Sequence, residues 1–73
     1  MSSLKQQFGK RLKALRRKRG MTQEQLADAV GLTVESISNI ERGIHAPKFD
    51  NLEKLALILD VQVISLFEFD LIN

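Results

Sequence analysis

Residues 22–43 contain two short segments that each open with a threonine and close with a glycine, Thr22 to Gly31 and Thr33 to Gly43. A threonine hydroxyl can cap the first turn of a helix, and Gln25 completes a T-x-x-Q capping box in the first segment. Glycine accepts the left-handed conformation that commonly ends a helix. Apolar side chains recur at helical spacing and form one inner face: Leu26, Ala27, Val30, Ile37 and Ile40. Two short helices joined by a tight turn are therefore expected here.

The first 19 residues predict a longer amphipathic helix, running from about Leu4 to Arg19. Gly20 follows at the position where a left-handed residue would end it. The inner face of this helix is expected to consist of Leu4, Phe8, Leu12 and Leu15. This helix is expected to pack its apolar side against the rest of the chain, while charged residues occupy its other side.

A fourth helix is expected after the loop that ends at Pro47. Asp50 and Glu53 offer a D-x-x-E capping box at its start, and Asp60 tolerates the left-handed conformation needed at its end. Its inner face would be formed by Leu52, Leu55, Ala56 and Leu59.

A short fifth helix is expected from about Gln62 to Phe67, with Val63, Leu66 and Phe67 facing inward. The sequence thus predicts an all-α fold of five helices in which helices 2 and 3 form a helix-turn-helix. A single domain would span residues 1–73, with residues 68–73 as an apolar C-terminal extension. A core this thin supports a net stability of only about 3–5 kcal/mol.

Positive charge is concentrated at one end of the chain. The first 19 residues hold eight of the eleven lysines and arginines and none of the nine acidic residues, although the net charge is only +2. A basic segment on a nearly neutral protein suggests an anionic partner, with nucleic acid as the leading candidate. A solvated cationic face is the alternative.

The sequence lacks the residues that define several classes of protein. The sequence has no cysteine, and His45 is its only histidine, so neither a metal site nor a nucleophilic active site is expected. No apolar run reaches the roughly 18 residues of a membrane span, and no signal peptide is recognisable. The sequence therefore predicts a cytoplasmic non-enzyme without cofactor or membrane association.

Many positions resemble the Cro/C1-type helix-turn-helix family, which includes lambdoid phage repressors and small bacterial regulators. The resemblance covers about residues 8–67. It rests on Arg11-Leu12, Leu15-Arg16, Gly20-Met21-Thr22-Gln23, Gln25-Leu26-Ala27, Val30-Gly31-Leu32-Thr33, Ile37-Ser38, Ile40-Glu41-Arg42-Gly43, Pro47, Leu52, Leu55-Ala56 and Leu66-Phe67. It implies a lambda-repressor-like fold, with helix 3 in the major groove of double-stranded DNA and dimers that read palindromic half-sites.

The resemblance also implies roles for individual residues. Val34, Glu35 and Asn39 match positions that reach base edges, and Ser38 lies in the same outward stripe of helix 3. Residues expected to contact phosphate are Gln23, Arg42, Lys48, Lys10, Lys13 and Arg17. Glu35 would be unfavourable near phosphates, and the alternative is that it only complements the positive end of helix 3.

Two further expectations concern structure rather than base reading. Glu41 matches a glutamate that pairs with a helix-1 arginine, here Arg16; a surface-exposed Glu41 is the alternative. Five apolar residues of the C-terminal third exceed what a small core needs and are expected to form a homodimer interface: Leu57, Ile64, Phe69, Leu71 and Ile72. Alternatively, the tail folds back over the monomer's own core.

The sequence thus favours a stand-alone transcriptional regulator, most simply a repressor, that binds DNA as a homodimer. It offers no effector domain, so no small-molecule effector is expected. The alternative is an antitoxin-type or antirepressor-type module whose main task is to bind another protein through the apolar C-terminal region.

Overall fold

The computed structural model describes residues 2–69, and these residues form helices and no strand. The α-helices are α1 (Leu4–Lys18), α2 (Gln23–Val30), α3 (Val34–Glu41) and α4 (Phe49–Leu59). A 3₁₀ helix, η1 (Val63–Phe67), follows α4. Within the described part of the chain, no helix is both long enough and apolar enough to cross a bilayer.

The capping pattern of the helix-turn-helix is confirmed. Thr22 and Gln25 form a reciprocal capping box, in which each side chain accepts the other's backbone N–H, at 3.0 and 2.8 Å. Gly31 ends α2 in the left-handed conformation at φ 75°. The Thr33 hydroxyl then accepts the Ser36 N–H at 3.0 Å and caps α3. Three residues therefore suffice to turn the chain between the two helices.

The expected capping box of α4 is wrong. The helix begins at Phe49, one residue earlier than Asp50, and its N-cap is Lys48, whose side chain makes no capping hydrogen bond. Asp50 therefore lies inside the first turn, where a carboxylate can only complement the positive end of the helix dipole. The expected end is confirmed, because Asp60 is left-handed at φ 58° and ψ 48°.

The expected fifth α-helix is also wrong, because residues 63–67 form a 3₁₀ helix. Its first residues make the shorter i to i+3 hydrogen bond, with the Ser65 N–H donating to the Gln62 carbonyl at 2.9 Å. Five residues give little room for the i to i+4 pattern, and Gln62 supplies no side-chain cap. Leu66 is buried, whereas Val63 and Phe67 are partly exposed, contrary to the expected inner face.

Every helical element contributes to one core. Its fully buried side chains are Leu12, Leu26, Ile37, Leu55, Leu59 and Leu66. Burying one such side chain contributes about 1.5–3 kcal/mol, so this shared core holds α2 and α3 in place against α1 and α4.

Gly9 allows α1 to lie directly against the end of α3. A Cβ atom at Gly9 would overlap the carbonyl oxygen of Ile40 and lie 2.6 Å from that of Glu41. Any larger residue would have to push the two helices apart. Gly9 thus fixes how closely the C-terminal end of α3 approaches α1.

Candidate nucleic-acid interface

Helix α3 separates a buried side from an outward side. Ile37, Ile40 and Glu41 are buried against the rest of the chain. The predicted base-reading residues lie on the other side, which we call the reading face: Val34, Glu35, Ser38 and Asn39. The first two are exposed and the last two half-buried. The helix is about 12 Å long, which suits insertion into a groove.

A shallow cleft beside the start of α3 brings several predicted residues together. Lys13 and Arg17 of α1, Gln23 of α2 and Val34 of α3 all line it. The cleft lies at the N-terminus of α2, where free backbone N–H groups and the helix dipole favour an anion. The structure thus collects predicted phosphate contacts from two helices next to the reading face.

The other predicted phosphate contacts lie elsewhere. Lys10 lines a separate cleft with Arg11, Glu68 and Phe69. Arg42 is the C-cap of α3 and Lys48 the N-cap of α4, and both are exposed. These two cations flank the loop that follows α3.

Arg16 and Glu41 form a bidentate ion pair in the interior. Arg16 Nε donates to Glu41 Oε2 at 2.6 Å and Nη2 to Oε1 at 3.0 Å, while Nη1 donates to the Met21 carbonyl at 2.8 Å. Only 9% of the Arg16 side chain and 2% of the Glu41 side chain are exposed. The pair therefore ties α3 to α1 and to the turn before α2.

The Arg16 guanidinium keeps its positive charge across neutral pH. The hydrogen bond to Glu41 raises the pKa of Arg16 above its usual value, against the opposing effect of burial. When folding raises the pKa of a basic group, the folded state gains stability from its protonated form. This stabilisation is fully present at every pH below the unfolded pKa, and it is lost only as the pH rises through the folded pKa. For an arginine that loss lies at strongly alkaline pH.

Besides its predicted contact with phosphate, Gln23 makes a contact within the protein that the sequence did not predict. Its Nε2 donates to Glu41 Oε1 at 2.9 Å, so the amide is oriented by the same carboxylate that holds Arg16. The two residues are 18 positions apart and belong to different helices, so no local pattern could have revealed the contact.

Two residues of α1 were also missed. An interior helical glycine such as Gly9 costs about 0.5–1 kcal/mol relative to alanine, which is a usable signal of close packing. Arg11 donates from Nε to the Ser65 carbonyl at 2.8 Å across 54 positions of sequence, and nothing local signals that contact.

The predicted dimer residues are placed unequally. Leu57 is 78% exposed and Ile64 66%, whereas Phe69 is half-buried against the core and lies edge-on to the Phe67 ring at 6.3 Å. Leu71 and Ile72 lie outside the described residues. Phe49, which the sequence reasoning did not single out, is 84% exposed.

A family model for the helix-turn-helix (HTH_3) matches residues 12–66, which is well over half of the chain and includes all of α2 and α3. The chain belongs to this family. The family consists of DNA-binding transcriptional regulators and not of enzymes. The recognition of a Cro/C1-type helix-turn-helix is thereby confirmed, with four α-helices within residues 2–69 in place of the five helices expected.

Three relatives illustrate the family. An immunity repressor protein of Bacillus phage phi105 is 40% identical over 55 residues, which are 75% of this chain but 38% of the repressor. The restriction-modification controller protein C.AhdI from Aeromonas hydrophila is 38% identical with a TM-score of 0.83, covering 86% of this chain and 96% of that one. SinR, a master regulator for biofilm formation solved in complex with DNA, is 34% identical with a TM-score of 0.78, covering 84% and 98%.

Proposed function

We propose that the chain is a transcriptional repressor that binds double-stranded DNA as a homodimer and reads palindromic operators with α3 in the major groove. The observation that carries this proposal is the cleft of Lys13, Arg17 and Gln23 beside the reading face of a helix-turn-helix. Cations and a helix N-terminus hold phosphates, and the adjacent helix then meets base edges. The structure of SinR with DNA supports the same use of this fold.

The reading face offers four kinds of base contact. Asn39 can pair with N6 and N7 of adenine, and Glu35 can accept from N4 of cytosine. Val34 can pack on a thymine methyl group, and Ser38 can bond to more than one base. Operator preference would be set by these four side chains.

Phosphate contacts would come from two groups of residues beside the reading face. Lys13, Arg17 and Gln23 would hold the backbone at the cleft, whereas Arg42 and Lys48 would hold it at the loop that follows α3. Lys10, three residues before Lys13 on α1, would add a contact outside that cleft. Such contacts position the domain without reading sequence.

The homodimer would form through an apolar face on α4 and η1, which we call the dimer face. It comprises Phe49, Leu57, Val63, Ile64 and Phe67, each exposed by at least 38%. A single helix of this length reads only a few base pairs, and a second copy related by a two-fold axis supplies the second half-site. Phe69 would contribute at the rim, next to Phe67.

A protein-interaction module is the second candidate. The observation that favours it is Phe49, whose ring is 84% exposed and lines an apolar groove with Leu52, Val63 and Phe67. An apolar segment of another protein could occupy that groove. The carboxylate of Glu35 on the reading face also favours this candidate.

Selection from random DNA duplexes separates the two candidates. A homodimeric repressor should enrich sites with dyad symmetry, whose half-sites are centred about one helical turn, roughly 34 Å, apart. Binding of the selected site should persist at physiological salt. If no sequence is enriched over the starting pool, the repressor proposal fails and the protein-interaction module is favoured.

A further inference from the structure

The helix η1 packs against both α1 and α4. Leu66 is fully buried in the core, and the ring of Phe67 lies on that of Phe8 with centroids 5.2 Å apart. Among the described residues, Arg11 supplies the side-chain hydrogen bond that joins η1 to another helix: Nε donates to the Ser65 carbonyl at 2.8 Å. Apolar packing thus holds η1 against α1 and α4, and the Arg11 hydrogen bond adds a directional polar contact to that packing.

The Ser65 carbonyl lies at the C-terminal end of η1. It also accepts the Glu68 N–H at 3.3 Å, so Arg11 occupies the position from which a cation caps a helix C-terminus. Arg11 Nη2 also lies 3.7 Å from Glu68 Oε1, but Glu68 is exposed, and such a surface pair contributes little. The hydrogen bond to the carbonyl is the contact that fixes the end of η1.

The same short helix carries much of the dimer face. Val63 and Phe67 line a groove with Phe49 of α4, and Ile64 of η1 and Leu57 of α4 are also exposed. A small rotation of η1 would therefore change the shape of the surface that a second copy must complement. Shape complementarity at the centre of an interface governs affinity more than area does.

We propose that Arg11 is a positioning residue for homodimerisation: by holding the Ser65 carbonyl, it sets the orientation of η1 and hence the shape of the dimer face. This inference rests on the homodimer proposed above. Arg11 does not line the cleft of Lys13 and Arg17, so its effect on DNA binding runs through the dimer.

The test compares Arg11→Met with Lys5→Met by sedimentation equilibrium over a range of protein concentrations. Both variants remove one charge from α1, but Lys5 is exposed and, within the described residues, has no hydrogen bond or ion pair to η1. Loss of a hydrogen bond with a charged donor should raise the dimer dissociation constant of Arg11→Met about tenfold, whereas Lys5→Met should match the wild type. Arg11→Lys, which keeps charge and a donor, should restore part of the affinity.

A second readout separates positioning from general destabilisation. Amide NMR shifts of the Arg11→Met monomer should change at residues 62–69 and not at α2 or α3. If the wild type dimerises and Arg11→Met dimerises equally well, the proposed role of Arg11 is wrong, while the homodimer itself stands. A wild type that stays monomeric at every concentration overturns the homodimer as well.

If Arg11→Met does not fold, Arg11→Lys decides. Weaker dimerisation with an unchanged melting temperature of the monomer supports the proposal, and unchanged dimerisation overturns it.

Discussion

Asn39 lies in the second turn of α3 on the reading face, and we propose that it makes a bidentate contact with adenine. Such a contact discriminates between bases by about 1–3 kcal/mol. We expect Asn39→Ala to relax the preference at one base pair in each half-site, while folding and non-specific binding remain nearly intact. Site selection repeated with this variant measures the effect, and an unchanged preference would contradict it. Gln23→Ala is the matched control, since it should weaken binding without altering the preferred sequence.

Glu41 accepts three hydrogen bonds, two from Arg16 and one from Gln23. Removing one partner of a buried ion pair leaves an uncompensated charge and costs about 3–5 kcal/mol, which approaches the whole stability expected of this domain. Arg16→Ala and Glu41→Ala should each lower the melting temperature strongly, and the double variant should lose less than the sum of the two. Thermal denaturation of all three proteins tests this; small and additive losses would count against the pair.

Gly9 tests the contact between α1 and α3. A methyl group there meets backbone carbonyls, which cannot move aside as a flexible side chain can. Gly9→Ala should therefore destabilise the protein by about 1–3 kcal/mol, although alanine is the better helix former. Urea denaturation against Lys10→Ala, an exposed neighbouring substitution, provides the comparison. A Gly9→Ala protein more stable than the wild type would refute the close approach.

At the scale of elements, the positive charge of α1 should appear in the salt dependence of DNA binding. Each phosphate contact contributes about −0.9 to the slope of log affinity against log salt concentration. Lys13→Ala and Arg17→Ala should each reduce that slope and weaken specific and non-specific binding alike. Lys5→Ala, far from the cleft, should leave the slope unchanged. Fluorescence anisotropy at several salt concentrations measures this slope. If the slope is the same for the wild type and all three variants, the charged side chains of α1 are merely solvated.

Sequence alone predicted the elements whose signals are local. The capping box of Thr22 and Gln25, the turn at Gly31 and the end of α4 at Asp60 each depend on a few adjacent residues. The start of α4 was missed because Lys48 caps it through the backbone alone. The 3₁₀ form of η1 was missed because α and 3₁₀ helices bury nearly the same apolar pattern over five residues. The contacts of Arg11 and Gln23 were missed because they join distant parts of the chain.

At the scale of the whole molecule, occupancy of DNA should depend on protein concentration through the dimer. Leu57→Glu places a charge on the dimer face, where two copies would repel each other. We expect this variant to stay monomeric and to lose operator affinity, with folding stability within about 0.5 kcal/mol of the wild type because Leu57 is exposed. Leu4, which the sequence wrongly placed on the inner face of α1, is 62% exposed, and Leu4→Glu should still dimerise. Light scattering and anisotropy would show the contrast, and a dimeric Leu57→Glu protein would exclude this face.

Because α3 keeps its buried side and its reading face on separate residues, the protein can acquire new targets without rebuilding its scaffold. Ile37, Ile40 and Glu41 are buried and hold the helix in place, and the Thr33 hydroxyl caps it, while the residues at positions 34 and 35 are exposed and those at positions 38 and 39 half-buried. Exchange of those four side chains would change the base preference while the helix stays in place. Gene duplication followed by such exchanges would give rise to sister proteins with equal stability and different operators, and a laboratory library at the same positions would be expected to fold almost throughout.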